Sequence, residues 1–271
     1  MNEAFFVELS EWLTQAGLAG TPETDIVSGF CERCVAAGLP LARALMFIDT
    51  LHPVHEGRLF RWGYGPTESP LLEYGRTSPD ALAASGSQPQ DVELAERWRN
   101  SPHYKMLQTG DSFLRLRLNA AAEAEFPVLS DFRAAGMTDY VSISTRFAPQ
   151  GVIGEMDGVY SSWATGEPDG FSDGQVAALQ RIAPYLALAL KSVSLARMTA
   201  TLMETYLGRD AGRRVLGGRI VRGIARFKGN NLFPALCPES PATARRARAR
   251  CLTHSHGRAK RLTNETAELH C

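Results

Sequence analysis

Cys31 and Cys34 form a C-x-x-C pair. That spacing serves thiol–disulfide exchange when it opens a helix after a strand, and zinc when a second such pair accompanies it. Here the chain has no second pair, and the surrounding periodicity places both cysteines inside a helix, so a structural role is expected. His52, His55 and Glu56 combine two imidazoles with a carboxylate at the end of a strand-like run. These are donor types for a metal or for proton transfer, but the spacing matches no established motif. Ser161-Ser162 lacks the G-x-S-x-G setting of a nucleophile elbow. Neither G-x-G-x-x-G nor G-x-x-x-x-G-K-[ST] occurs, which argues against nucleotide binding by those devices. Near the C-terminus, Cys251, His254, His256 and Cys271 offer a zinc reading, while Arg245, Arg246, Arg248 and Arg250 could neutralise phosphates. The His254-x-His256 spacing is too tight for the usual zinc finger. No catalytic residue, metal site or cofactor is expected from these groups.

The 271 residues are 44% hydrophobic and 21% charged, a composition able to bury a core without metals or disulfides. The zero net charge conceals a division. Residues 1–218 hold 18 Lys+Arg against 26 Asp+Glu, and residues 219–271 hold 11 against 3. Three of the five cysteines and three of the six histidines also lie in that short basic stretch. The two parts are therefore read separately. Met1–Gln15 carries Glu3, Glu8 and Glu11 and no basic residue, unlike a signal peptide. No apolar run reaches the roughly 18 residues of a membrane span. A cytoplasmic chain without membrane or nucleic-acid partners is expected.

Helical spacing of Phe5, Phe6, Leu9, Trp12 and Leu13 predicts a first helix stopped at Gly17. Thr21 and Pro22 predict the cap and first position of a second, which carries Ile26, Val27 and Phe30 towards Gly38. Strands are predicted over Leu41–Leu51, Gly57–Tyr64, Ser112–Leu118, Thr138–Phe147 and Gly158–Ala164. Gly65–Pro89 reads as a loop or short irregular hairpin, and Asp91–Leu107 as one or two helices interrupted at Ser101-Pro102. Phe126–Ala135 reads as a short helix. A long helix, capped around Phe171-Ser172-Asp173, runs from about Gly174 to Leu207. This order predicts an α+β fold, a largely antiparallel sheet with packed helices and a long C-terminal helix.

Leu179, Leu186, Val193, Ala200 and Leu207 recur every seven residues, as do Ile182, Ala189, Ala196 and Met203 at an offset of three. That is the seam of a two-stranded coiled coil, or equally of a helix packed on its own sheet. Pro184 should kink the helix. A homodimer is expected through the C-terminal helix, with Leu186, Val193, Ala196, Ala200, Met203 and Leu207 as its contact residues.

The stretch GFSDGQVAALQRIAPYLALALKSVSL (Gly170–Leu195) resembles the last strand-to-helix segment of GAF-type sensory domains. AAGLPLARA (Ala36–Ala44), DTLHPVHEGRLFRW (Asp49–Trp62), EYGRT (Glu73–Thr77), SSWATGEPDGFSD (Ser161–Asp173) and LMETYLGRDAGRRVLGGRIVRG (Leu202–Gly223) narrow the likeness. Together they resemble the GAF-like N-terminal sensory region of bacterial class III adenylate/guanylate cyclases, over about residues 5–223. The resemblance implies a sensory domain at 1–192, a signalling helix and linker at 193–217, and regulation of cyclic-nucleotide synthesis. It also implies a small-molecule pocket between the sheet and the irregular middle segment. Aromatic and polar residues of the type that line such pockets are Trp62, Tyr64, Trp98, His103, Tyr104, Arg115, Tyr140, Ser144 and Trp163. The ligand itself is not specified.

In that family the cyclase domain follows the joint directly and carries metal-binding aspartates in a strand like WFSDLRGFT. Residues 218–271 contain no aspartate, so the catalytic domain is expected to be missing and the chain to be non-catalytic. The tail reads as an out-of-frame or otherwise non-native, disordered segment, as a basic interaction arm, or as a zinc site, the first being favoured by its Arg/Pro/Ala/Cys composition. The alternative function is a stand-alone small-molecule or protein-binding module with a basic tail.

Overall fold

The computed structural model describes residues 2–50, 52, 55–74, 96–148 and 156–218. Of the two units into which the chain divides, the first, Met1–Leu216, holds nearly all the described residues. Beyond Gly218, the expected basic tail lies outside the described residues.

Six strands form one sheet in the order β3-β2-β1-β6-β5-β4, every pair antiparallel. They are β1 (Arg43–Asp49), β2 (Gly57–Trp62), β3 (Leu71–Tyr74), β4 (Phe113–Arg117), β5 (Asp139–Arg146) and β6 (Gly158–Thr165). The expected α+β architecture is present. One strand was not expected: β3 lies in the stretch read as loop or hairpin, because four residues after Pro70 are too few to show a period. Strands β5 and β6 are buried on both faces almost throughout, so the sheet carries a separate layer on each side.

The first layer is helical. Helix α1 (Glu3–Ala19) is capped by Asn2, whose side chain accepts from the Phe5 N–H at 3.0 Å. Its apolar stripe, Leu9, Leu13 and Ala16, is buried. Gly17 does not end it. The stop is Gly20, at φ 69°, because Gly17 lies against another backbone: a Cβ there would sit 3.3 Å from Cα of Ala189. Helix α2 (Glu23–Ala36) begins one position later than expected, with Pro22 in the cap position, extended at ψ 140° and supplying no side-chain cap.

Ser172 and Gln175 close a reciprocal capping box at the start of the long helix α6 (Asp173–Leu207), which continues through Pro184. Leu179, Ile182, Leu186, Ala189 and Val193 are all buried in the core shared with α1, α2 and the sheet. The first half of the heptad seam is therefore an internal packing face. By length and composition alone, α6 is a helix that could cross a membrane. Its buried apolar residues serve the core of this fold instead. At Gly208 the chain turns, and α7 (Arg209–Leu216) folds back so closely that a Cβ on Gly212 would meet the Met203 carbonyl oxygen at 2.7 Å.

The second layer covers the opposite face. It contains a helical turn at 96–99, α3 (Pro102–Thr109), α4 (Ala120–Glu125), a 3-10 turn at Pro127–Leu129 and α5 (Ser130–Ala134). Ser101-Pro102, read as an interruption, is the start of α3: Ser101 Oγ accepts from the Tyr104 N–H at 3.2 Å, and Pro102 opens the first turn. The single helix expected over Phe126–Ala135 is a 3-10 turn followed by α5. Leu118, Phe126, Leu129, Phe132 and Tyr140 form a small core on this side.

One ion cluster ties the helical layer to the sheet. The Glu23 carboxylate, 1% exposed, receives Arg58 at 2.8 Å, Arg197 at 2.7 Å and the Ser194 hydroxyl at 3.3 Å. Burial raises its pKa, but the hydrogen bond from Arg197 and the two guanidinium charges prevail, so the carboxyl titrates below its ordinary value of 4.5. Its stabilising contribution is therefore complete above the unfolded-state value and is lost as pH falls through the lower folded one. We predict that Glu23→Ala, which leaves the buried Arg58 with only the half-exposed Glu73, 3.2 Å away, as partner, costs about 3 kcal/mol. Urea denaturation at pH 7 checks this, and the difference from wild type should shrink below about pH 4. A loss under about 1 kcal/mol would show the cluster to be dispensable.

Candidate functional site

Alternation along the strands sends Leu45, Phe47, Tyr140, Ser142, Ser144, Tyr160 and Ser162 to the face covered by the second layer. His103, on α3, reaches down to this surface and is 2% exposed. Its Nδ1 lies 2.8 Å from the Ser142 hydroxyl oxygen. Around its ring stand Phe47 at 5.4 Å, Tyr160 at 6.1 Å and Trp98 at 6.3 Å between centroids, with Trp98 nearly parallel to it. The Tyr160 hydroxyl donates to Asp157 at 2.8 Å.

Three buried polar atoms in this neighbourhood make no hydrogen bond: His103 Nε2, Ser144 Oγ and Ser162 Oγ. Ser162 faces Ser142 directly across the β5–β6 ladder, and Ser144 is two residues further along β5. The Tyr140 side chain lies close enough to Ser162 to interact with it, without hydrogen-bond geometry at that hydroxyl. Each unpaired buried polar group costs about 1–3 kcal/mol. Buried polar groups are as a rule hydrogen-bonded, so three without a partner in one neighbourhood make this face the candidate site.

Burial drives the His103 imidazole down to a pKa of about 3. It is neutral at physiological pH, with one ring nitrogen as donor and the other as acceptor. Burial also raises the Tyr140 and Tyr160 hydroxyls above their ordinary value. Ser142 and His103 have the contact of a nucleophile and base. Among the described residues, however, no carboxylate orients Nε2, so the third member of a triad is missing.

The residues singled out from the sequence divide between the two faces. Trp98 joins the His103 cluster, Tyr104 stands beside Trp98 at 6.4 Å, and Tyr140 and Ser144 share the same sheet face. Tyr64 lies at the edge of this layer under the Arg43 guanidinium, 4.7 Å from the ring centroid, and burial pushes its hydroxyl up to about 12. The other three belong to the helical face. Trp163, fully buried, packs on Phe30 at 5.4 Å and donates its indole N–H to Ser161 Oγ. Trp62 packs against the same core. Arg115 binds Asp139 at 2.8 Å, Asp173 at 3.1 Å and the Phe171 carbonyl, a staple for the start of α6.

Sequence reasoning did not single out Phe47, Ser142, Tyr160 or Ser162 for the site. The available signal was period two: hydroxyls at 142 and 144 in a strand otherwise carrying Tyr140, Val141 and Ile143.

Other candidates resolve locally. Both thiols of the C-x-x-C pair are buried, and burial pushes Cys31 up and Cys34 up to about 12, which makes them poor nucleophiles. The His52 and His55 rings stack at 4.8 Å, and His55 Nε2 lies 3.7 Å from Glu73. Among the described residues no group of three or more His, Cys, Asp or Glu side chains could hold a metal ion. The described residues include two surface grooves. One of about 210 Å³ runs between α1 and α6 along Glu3, Val7, Arg181 and Tyr185, and one of about 230 Å³ lies between the 96–99 turn and α5.

No protein-family model and no curated protein matches the chain. Among solved structures it is similar to the GAF domain of a two-component sensor histidine kinase from Bacillus halodurans. That likeness has 11% identity and a TM-score of 0.41, and covers 64% of this chain and 96% of the other. It is also similar to the phycoerythrobilin-bound GAF domain from a cyanobacterial phytochrome, at 14% identity and TM-score 0.43, covering 73% and 98%. The phycocyanobilin-bound GAF domain from a cyanobacterial phytochrome gives 16% and 0.42, covering 72% and 97%. The bilins belong to those proteins.

We predict that the imidazole proton signals of His103 stay flat between pH 8 and pH 5 in a histidine-selective NMR titration. A midpoint near the ordinary 6.5 would show that the ring is solvated and that the cluster is open.

Proposed function

We propose that this chain is a GAF-type sensory module that takes a small molecule at the His103 cluster and delivers the signal through α6 and α7. Its place in the cell, on this reading, is as the regulatory input of a cytoplasmic class III adenylate/guanylate cyclase. The observation that carries the sensory part is the set of unsatisfied buried atoms on β5 and β6. The other face of those same two strands supports α6, so an occupant that repacks Ser144 or Ser162 presses on strands that touch the output helix. The cyclase part rests on the sequence stretches quoted above, which run in consistent order to Gly223. Cyclases of this class assemble their active site between two catalytic domains, so a change in α6 would alter turnover by population shift.

The test is a fusion of residues 1–223 to the catalytic domain of a class III cyclase. Replacing His103 with Leu should change cyclic-nucleotide output by about fivefold or more, corresponding to about 1 kcal/mol of coupling. An output that ignores the substitution would favour a stand-alone binding module.

A homodimer through α6 belongs to the same proposal, with a shifted contact. Val193 is only 7% exposed and Leu186 1%, whereas Leu188 is 66% and Tyr185 47% exposed, beside Val7 at 48% on α1. The outward apolar stripe is therefore Tyr185 and Leu188, while Ala196, Ala200, Met203 and Leu207 lie at or near the surface further along. Light scattering on the full chain should give twice the monomer mass, falling to the monomer mass in Leu188→Glu. A monomeric wild type would refute this contact.

A further inference from the structure

We infer that the His103 cluster selects an uncharged, planar molecule carrying a hydrogen-bond donor next to an acceptor, such as an amide or a lactam-like ring. The inference deepens the sensory reading and rests on it. Its first ground is where the buried charges are. Among the described residues, the buried ionisable side chains other than His103, the tyrosines and the thiols of Cys31 and Cys34 are Glu23, Arg58 and Asp139, and all three are engaged on the helical side of the sheet.

On the His103 side, the carboxylates that approach are already spoken for: Asp157 accepts from Tyr160 and Asp49 from Tyr74, at 2.8 and 2.9 Å. Arg146, further along β5 on the same face, is exposed and donates to the Leu107 carbonyl at 3.3 Å. An anion entering the cluster would lose its hydration and meet only the Asp157 and Asp49 carboxylates, while a cation would lose its hydration for carboxylates that already hold tyrosine hydroxyls, a large penalty for either.

The second ground is the donor and acceptor inventory. Ser144 and Ser162 each bring a hydroxyl that can donate and accept, and His103 Nε2 is donor or acceptor according to tautomer. Because Ser142 occupies Nδ1, the tautomer can follow the ligand: a hydroxyl that donates to Nδ1 leaves Nε2–H free to donate. The three atoms thus ask for complementary polar groups of both kinds. The third ground is the wall. Phe47, Trp98 and Tyr160 supply aromatic faces and edges around the ring of His103, a setting that favours a flat, apolar-flanked partner.

Three isosteres separate charge from shape: benzamide, benzoate and benzamidine. Titrated into the full chain and followed by ligand-observed NMR, benzamide should bind with a Kd of about 1 mM, in keeping with its few atoms. Benzoate and benzamidine should bind at least about tenfold more weakly. Ser162→Ala should weaken benzamide by about tenfold while melting at or above the wild-type temperature, since it removes an unpaired buried hydroxyl. Benzoate or benzamidine binding as tightly as benzamide would overturn the inference. So would benzamide binding indifferent to Ser162→Ala, or no benzamide binding at all. In each of these cases a His103-dependent output from the cyclase fusion would leave the sensory reading standing. Loss of that output would remove the sensory reading itself.

Discussion

Almost no water reaches the carboxylate of Glu23, yet it titrates below its ordinary value because the Arg197 hydrogen bond and two guanidinium charges, from two other elements, outweigh its burial. Helix α2 contributes the acid, β2 contributes Arg58, and α6 contributes Arg197 and Ser194. A buried charge of this kind tolerates little displacement, since losing one partner leaves another uncompensated. Apolar contacts between helices and sheet are forgiving of small slides. The Glu23 cluster is not, and it therefore fixes where α6 crosses the sheet. Arg197 is 48% exposed in its side chain, so its share is screened. The Arg58 contact is the rigid one.

The sheet separates two chemistries. On the helical side it buries ions in matched sets, Glu23 with Arg58 and Asp139 with Arg115. On the other side it buries hydroxyls, an imidazole and aromatic rings. Such a division follows from β5 and β6 being central and covered on both faces: successive residues of one strand face opposite layers. Tyr140, Ser142 and Ser144 address one environment, while Asp139, Val141 and Ile143 address the other. Rigidity and adaptability thus sit a residue apart.

Most of the architecture was legible because the strands alternate and the helices carry their own punctuation. Phe171-Ser172-Asp173 announced the start of α6, and the alternation over Gly158–Ala164 announced β6. The errors came from forces that local sequence does not express. Gly17 reads as a stop, but its missing side chain serves contact with α6, 172 residues away from Ala189 in the chain. The heptad positions of α6 were visible, yet whether Leu186 and Val193 face a sheet or a second helix depends on α1 and α2. Aromatic identity alone could not say which face of the sheet Trp62 and Trp163 occupy, and so mixed core residues with those near His103. The hydroxyls at 142 and 162 were hidden because serine in a strand reads as solvent-facing.

The closeness of Gly17 to Ala189 has a mechanical consequence. Where two backbones touch without intervening side chains, the helices cannot rotate independently about their own axes. Any tilt of the long C-terminal rod must carry the N-terminal rod with it, so the pair behaves as a single lever.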